Sequence, residues 1–253
     1  MAEPSGPTPE RKAQHAASFT HAGAEYAAVR PPYPPAAVDA LVPPGAVDVL
    51  DLAAGTGKLT AALVARGLHV LAVEPAEGMR TQLVAALPQV EVHGGTAESI
   101  DLPDASVDAV TVAQAWHWFD EPAAAAEIAR VLRPGGTLGI VWNDRDEDVP
   151  WVRAYGELLH EQAGPQLARD TYPTLGAAYG DVVETVVQWE HVVGPEDLVR
   201  LAATRSYTIV LPPAERAALL ARVRDLVTTH PDLAGREHVA VPYVTRVYTA
   251  ALR

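Results

Sequence analysis

The stretch Val47-Asp48-Val49-Leu50-Asp51-Leu52-Ala53-Ala54-Gly55-Thr56-Gly57-Lys58-Leu59-Thr60 decides how the chain is read. An apolar run ends in an acid, a turn of small residues follows, and then a helix-forming segment begins. That order predicts a buried strand, a ligand-binding turn and a helix N-terminus. Small residues let backbone N–H groups approach a ligand closely, and a helix start adds partial positive charge.

Outward from this stretch, a strand–helix rhythm continues. The first strand, Val47 to Leu52, leads into a helix from Lys58 to about Arg66, stopped by Gly67. His69 to Val73 reads as the second strand, with a helix from about Ala76 to Leu87 behind it. Val90 to His93 and Val107 to Ala113 are the third and fourth strands. A helix capped by Asp120 runs to Leu132, and the turn Arg133-Pro134-Gly135-Gly136 feeds a fifth strand, Thr137 to Trp142. Such alternation implies a parallel sheet covered on both faces.

The flanks differ. Residues 1–12 read as a disordered tail, and Met1 to Glu10 lack the apolar core of a signal peptide. Ala13 to Arg30 has helical spacing through Phe19, Ala22, Tyr26 and Val29, stopped by Pro31-Pro32. A short helix, about Ala36 to Leu41, completes a helical lid over residues 13–46. The main domain spans 47–253 and carries a helical insertion at about 149–180. Glu184 to Val193 reads as a strand, Glu196 to Ala203 and Ala214 to Thr229 as helices, and Val239 to Ala250 as a final strand.

Composition narrows the classes. The 253 residues are 49% hydrophobic, enough for a full core, yet no segment is long and apolar enough to span a membrane. The absence of cysteine excludes a thiolate nucleophile, disulfides and cysteine-based zinc sites. A formal charge of −13 argues against a nucleic-acid partner, which needs a basic face. The nine histidines show no metal-ligand spacing, so no metal is expected. The expectation is a cytoplasmic protein, monomeric or homodimeric, with a small-molecule substrate.

Two cofactor classes use such a turn, dinucleotides and S-adenosylmethionine. The dinucleotide fingerprint needs a third glycine. Aligning Gly55 and Gly57 with its first two puts Thr60 there, and Asp51 has no place in that motif. The segment instead resembles motif I of the class I S-adenosylmethionine-dependent methyltransferases, an acid followed by alternating glycines. Asp51 matches the acid and Gly55 and Gly57 the later glycines. Ala53 replaces the first glycine and disfavours a positive φ.

The resemblance extends outward. Val73-Glu74-Pro75 ends the second strand in an acid, where this family holds the ribose hydroxyls; taken alone, Glu74 is equally a solvated strand-end acid. Gly95-Thr96-Ala97-Glu98 falls where the family contacts adenine, with Thr96-Ala97 in place of the commoner Asp-Ala. A narrower likeness, to a branch including trans-aconitate methyltransferase-like proteins, rests on Arg30-Pro31-Pro32-Tyr33-Pro34, Gln114-Ala115-Trp116-His117-Trp118-Phe119-Asp120, Trp142-Asn143-Asp144-Arg145-Asp146, Ser206-Tyr207 and Val241-Pro242-Tyr243. No Asn-Pro-Pro-Tyr sequence, carried by amino-methylating DNA enzymes, follows the fourth strand.

The resemblance implies a Rossmann-like α/β fold with a seven-stranded, mostly parallel sheet and an antiparallel last strand. It implies S-adenosylmethionine as cofactor, S-adenosylhomocysteine as product, and methylation of an O, N or C atom of a small metabolite. The cofactor contacts it implies are Tyr26, Arg30, Asp51, Ala53, Gly55, Thr56, Gly57, Glu74, Pro75, Met79, Thr96, Ala97, Glu98 and Gln114. Tyr33, Trp116, Trp118, Asn143 and Tyr207 would face the acceptor.

Several of these have second readings. Tyr26 is either over the cofactor or an aromatic core residue, and Arg30 either near the cofactor carboxylate or a surface arginine. His117 is either a general base, since histidine titrates near neutrality, or a group bonded within its loop. At least one of Trp116 and Trp118 belongs to the core, leaving the other to wall a pocket. Arg145, on the same sheet edge as Asn143, is either a contact for an acidic or polar acceptor or, amid Asp144, Asp146, Glu147 and Asp148, a member of a local ion pair, the second being the expectation. The rival functions are a nicotinamide-dependent oxidoreductase and a protein of this fold that binds the cofactor without methylating.

Overall fold

The structure, a computed structural model, describes residues 30–163 and 172–253. The tail, Tyr26 and the helix expected up to Arg30 therefore lie outside the described residues, apart from Arg30 itself.

The elements follow the predicted rhythm. Helix α1, Pro35–Leu41, starts on a proline, whose fixed φ suits the first turn of a helix. Strand β1 (Asp48–Leu52), helix α2 (Lys58–Val64), β2 (His69–Val73), helix α3 (Glu77–Ala86), β3 (Glu91–His93) and β4 (Val107–Ala113) come next. Trp116–Trp118 forms a single 3₁₀ turn, followed by α4, Glu121–Val131. Asp120 caps α4 as expected, its Oδ1 accepting from the Ala123 N–H at 3.3 Å. Strand β5, Leu132–Arg145, precedes α5, Pro150–Ala163. Strand β6 (Val183–Val193), helices α6 (Pro195–Ala203), α7 (Ser206–Ile209) and α8 (Pro213–Thr229), and β7 (Val239–Ala251) complete the chain.

Of the helical insertion expected at about 149–180, residues 150–163 are helical and residues 172–180 are not. Residues 172–180 run as turns and extended chain. Pro173 and Gly176, the latter at φ +78°, are unsuited to a helix, and Tyr179 leaves the segment to donate to the Ala125 carbonyl of α4 at 2.9 Å.

The seven strands lie in the order β3-β2-β1-β4-β5-β7-β6. The first five are parallel; β7 runs antiparallel to β5 and to β6. Side chains alternate between two cores. Leu50, Val110, Ile140 and Tyr248 pack with α4 on one face. Val49, Ala109, Val141 and Val247 pack with α1 and α2 on the other. A third core joins α5, α6 and α8 to the start of β7, through Tyr155, Leu198, Val223 and Tyr243. Because Arg145, the last residue of β5, pairs with Tyr243, this helical layer stands at the carboxyl end of the sheet.

At the amino end, Arg133 clamps β1 to β4 by donating to Asp48 at 2.8 Å and Asp108 at 2.6 Å. Asp108 also accepts from the Val47 and Asp48 N–H groups, and these donors, the Arg133 guanidinium first, hold its carboxyl down at about 2. The order in which the chain adds strands reverses between β1 and β4, which run parallel. In an open α/β sheet that reversal opens a crevice at the carboxyl ends.

Helix α1 reaches the sheet closely only because residue 139 is glycine. A Cβ there would lie 2.6 Å from the Leu41 carbonyl oxygen, a backbone atom that cannot swing aside. Gly139→Ala is therefore expected to cost about 1–3 kcal/mol, the range for overpacking a filled core. Urea unfolding checks this against Gly180→Ala, whose nearest contact of 3.6 Å is ordinary.

Candidate active site

The crevice is present. A cleft lies between the turn after β1 and the end of β4, lined by Ala53 to Thr56, Lys58, Leu59, Ala113 and Gln114. Its far side is built by Arg30, Pro31, Tyr33, Asn143, Arg205 and Tyr243.

The turn owes its shape to three left-handed residues, Ala53 (φ +57°), Gly55 (φ +59°) and Gly57 (φ +85°). Ala53 thus keeps the conformation of the glycine it replaces, at a steric cost of about 1–2 kcal/mol. At Gly57 a side chain is excluded twice, by φ and by the Leu83 Cγ that a Cβ would meet at 2.9 Å. Gln114, at the end of β4, is also left-handed (φ +58°), and its N–H donates to the Val141 carbonyl at 3.0 Å. Strain of this kind gathers at ligand sites.

Asp51 is where the sequence expectation shifts most. It has no solvent exposure and does not line the cleft. Its two carboxyl oxygens accept from Thr60 Oγ1 at 2.6 Å and Thr111 Oγ1 at 3.2 Å. Asp51 therefore supports the turn from beneath. Thr60, placed where a dinucleotide fingerprint would have glycine, is its main partner. Burial pushes the Asp51 carboxyl up to about 7, against the pull of the hydroxyl donors.

Glu74 is likewise turned inward. Its Oε2 accepts from the Gly55 N–H at 2.9 Å and its Oε1 from the Ala76 N–H at 2.8 Å, joining the β1 turn to the start of α3. Burial raises its pKa, opposed by those amides and by Arg80. Thr56 adds a distinctive atom: its Oγ1, on the cleft wall, is buried without a hydrogen-bond partner among the described residues.

The remaining expected residues divide. Tyr33, Gln114, Asn143 and Arg30 reach the cleft. Asn143 is held at both ends, donating to the Pro32 carbonyl at 3.0 Å and accepting from Thr245 Oγ1 at 2.7 Å. Thr245 in turn accepts from Trp189 Nε1 at 2.8 Å. Arg30 donates to the Thr204 carbonyl at 3.0 Å, tying the segment before α1 to the helical layer. Met79 and Ala97 are buried, and Thr96 is exposed. Pro75 lies outside the cleft lining. Glu98 accepts from the Asp120 N–H at 2.9 Å.

Trp116 is the core member of its pair at 1% exposure, whereas Trp118 is half-buried. His117 packs between Trp118 and Trp142, with ring centres 4.7 and 5.2 Å away, outside the cleft lining. Tyr207 is buried in the helical layer. Lys58, Arg205 and Tyr243 complete the cleft without having been singled out as site residues. Lys58 directly follows the last glycine of the turn, and Arg205 precedes Ser206-Tyr207, so both had a local marker.

Comparison with known proteins bears on this geometry. A family profile described as a methyltransferase domain matches residues 50–140, from β1 through most of β5. An uncharacterised methyltransferase of Mycobacterium tuberculosis is 50% identical over 235 residues, covering 93% of this chain and 96% of its own. The chain belongs to the class I S-adenosylmethionine-dependent methyltransferases. Among solved structures, a protein of Anaeromyxobacter dehalogenans proposed as a type II methyltransferase is 27% identical, with TM-score 0.60 over 88% of this chain and 97% of its own. The [4+2]-cyclase SpnF shares the fold at 17% identity, with TM-score 0.56 over 98% of this chain and 97% of its own. For a methyltransferase of this class, the cleft at the β1–β4 reversal is the position at which a ligand is expected.

The raised pKa of Asp51 has a consequence for stability. An unfolded aspartate titrates near 3.8 and the folded one near 7, so between those values the folded state holds the extra proton. Stability therefore falls as pH rises from about 4 to about 7. Denaturant unfolding at pH 5 and pH 8 should show that loss, and Asp51→Asn should remove it. An unchanged slope in the variant assigns the effect elsewhere.

Proposed function

We propose that the cleft holds S-adenosylmethionine against the β1 turn and that the methyl group passes to an O, N or C atom of a small organic acceptor. The observation that carries this reading is the buried, unpartnered Thr56 hydroxyl on a wall of left-handed small residues. A buried polar atom without a partner is costly, and a polar ligand in the cleft would satisfy it.

When bound, the cofactor supplies a sulfonium methyl already activated toward displacement. The chain's part is to bind, orient and exclude water. Ala53 to Thr56 and Gln114 bound the cofactor side. Glu74, acting through the Gly55 amide, fixes the turn, and each of its oxygens has a second lone pair with which it would accept from a ribose hydroxyl. Tyr33, Asn143, Arg205 and Tyr243 form the opposite wall and face the acceptor. Ring packing holds His117 beside the cleft, and its general-base role stays part of the proposal.

The nicotinamide reading finds less support. Its third glycine is Thr60, committed to Asp51 beneath the turn. The acidic balance supports a small molecule over nucleic acid. Among the described residues no helix is long and apolar enough to cross a membrane. Fold alone does not settle the chemistry, since SpnF has the same architecture and is a cyclase.

The test is calorimetry with S-adenosylhomocysteine and NADH, followed by mass-shift screening of a metabolite extract with methyl-labelled cofactor. S-adenosylhomocysteine should bind and NADH should not, and a labelled product should appear. Binding of NADH alone would sink the reading. Glu74→Ala should weaken S-adenosylhomocysteine by about 1–3 kcal/mol, and Thr56→Val by about 1 kcal/mol.

A further inference from the structure

Lys58 completes the cleft wall but has no part in the chemistry proposed so far. It is the first residue of α2, directly after Gly57, and with Ala53 to Thr56 and Leu59 it forms the β1-turn side of the cleft. Lys58 is half-buried, and among the described residues its ammonium makes no hydrogen bond and no ion pair.

Other cations nearby are engaged. Arg30 donates to the Thr204 carbonyl at 3.0 Å on the opposite wall. Arg145, in the helical layer, keeps the expected local acid, with Glu147 3.9 Å from its Nη2. Lys58 has no such acid. Burial lowers its pKa, and no neighbouring carboxylate opposes that shift. The charged neighbour it acts on is His191 of β6. Burial first, and then the Lys58 charge, hold that imidazole below its ordinary value, with Asp197 opposing. An imidazole cannot serve as a counter-ion to an ammonium. Among the described residues no carboxylate lines the cleft either.

A partly desolvated ammonium is costly without an anion or a set of acceptors around it. The protein supplies neither here, so the counter-charge comes from the ligand. The wall narrows which ligand. Lys58 stands on the β1-turn side, the side proposed to hold S-adenosylmethionine, and the single anionic group of S-adenosylmethionine is its carboxylate. A lysine suits that partner, since its compact charge sits on a long stem that adjusts to the anion. Arg30, which the family resemblance places near the same carboxylate, lies across the cleft and is tied to Thr204.

We propose that Lys58 binds the carboxylate of S-adenosylmethionine and is the group by which the cleft selects a cofactor with an intact amino-acid end. This rests on the methyltransferase reading of the cleft and adds a contact to it. The pair seats the amino-acid end of the cofactor beside the start of α2. It also neutralises a positive charge in a cleft that has to accept a sulfonium, which an unpaired ammonium would repel.

The test is calorimetry with S-adenosylhomocysteine and with 5′-deoxy-5′-(3-aminopropylthio)adenosine, the same molecule without its carboxyl group. The unaltered protein should bind the first at least tenfold more tightly. Lys58→Met should weaken S-adenosylhomocysteine at least fivefold and leave the carboxyl-free compound within twofold, so that most of the preference disappears. Lys58→Gln keeps a polar end without the charge and should show the same split, so the idea stays testable if one variant does not fold. Equal binding of the two compounds by the unaltered protein would overturn it. So would a preference that survives in the folded variants, which assigns the carboxylate to another group such as Arg30. An equal loss of both compounds would overturn it too, making Lys58 a support of the turn. If neither compound binds the unaltered protein, the methyltransferase reading of the cleft itself fails, a result distinct from binding without preference.

Discussion

Asp51 lies sealed under the ligand-facing turn, and its bonds to Thr60 and Thr111 hold three elements in register. Thr111 lies opposite it on β4, Thr60 comes from the first turn of α2, and Asp51 itself is the penultimate residue of β1. The turn above cannot choose its own conformation cheaply, since Ala53 pays for a left-handed backbone. Its geometry is imposed from beneath by this buried triad and from the side by Glu74, which grips the Gly55 amide. Loss of either support would leave small residues free to relax, and the cleft would lose its wall.

The far wall depends on another set of bonds. Trp189 on β6, Thr245 on β7 and Asn143 on β5 form a relay that ends on the Pro32 carbonyl. Three strands that follow the cofactor half of the sheet thereby hold the segment leading into α1. Arg30 adds a second tie, to the carbonyl of Thr204, the residue that caps the C-terminus of α6. The two walls of the cleft are thus built by different means, one by a buried acid and the other by a chain of neutral donors.

Much of this could be read from the sequence, for local reasons. Apolar runs alternating with helices gave the sheet, and Gly67 and Asp120 marked boundaries through backbone chemistry that needs no partner. The direction of Asp51 was not legible. Its role depends on facing Thr111, and strand register is a property of the folded sheet. The same holds for Trp116 and Trp118, two residues apart on one 3₁₀ turn, where rotation alone decides which enters the core. Asn143 and Arg30 were expected as site residues, yet the carbonyls they donate to lie 111 and 174 residues away. Residues 172–180 went the other way: Pro173 and Gly176 were visible, but the Tyr179 anchor that draws the segment along α4 was not.

The matched family profile ends at residue 140, and that boundary falls between the two walls. Everything on the β1-turn side lies inside it. Arg30, Tyr33, Asn143, Arg205 and Tyr243 all lie outside. On the proposed reading, the donor wall and the acceptor wall are encoded by separable lengths of chain, joined through the sheet. Such a division lets a lineage exchange its substrate by rewriting the ends of the polypeptide while the transferable group stays the same.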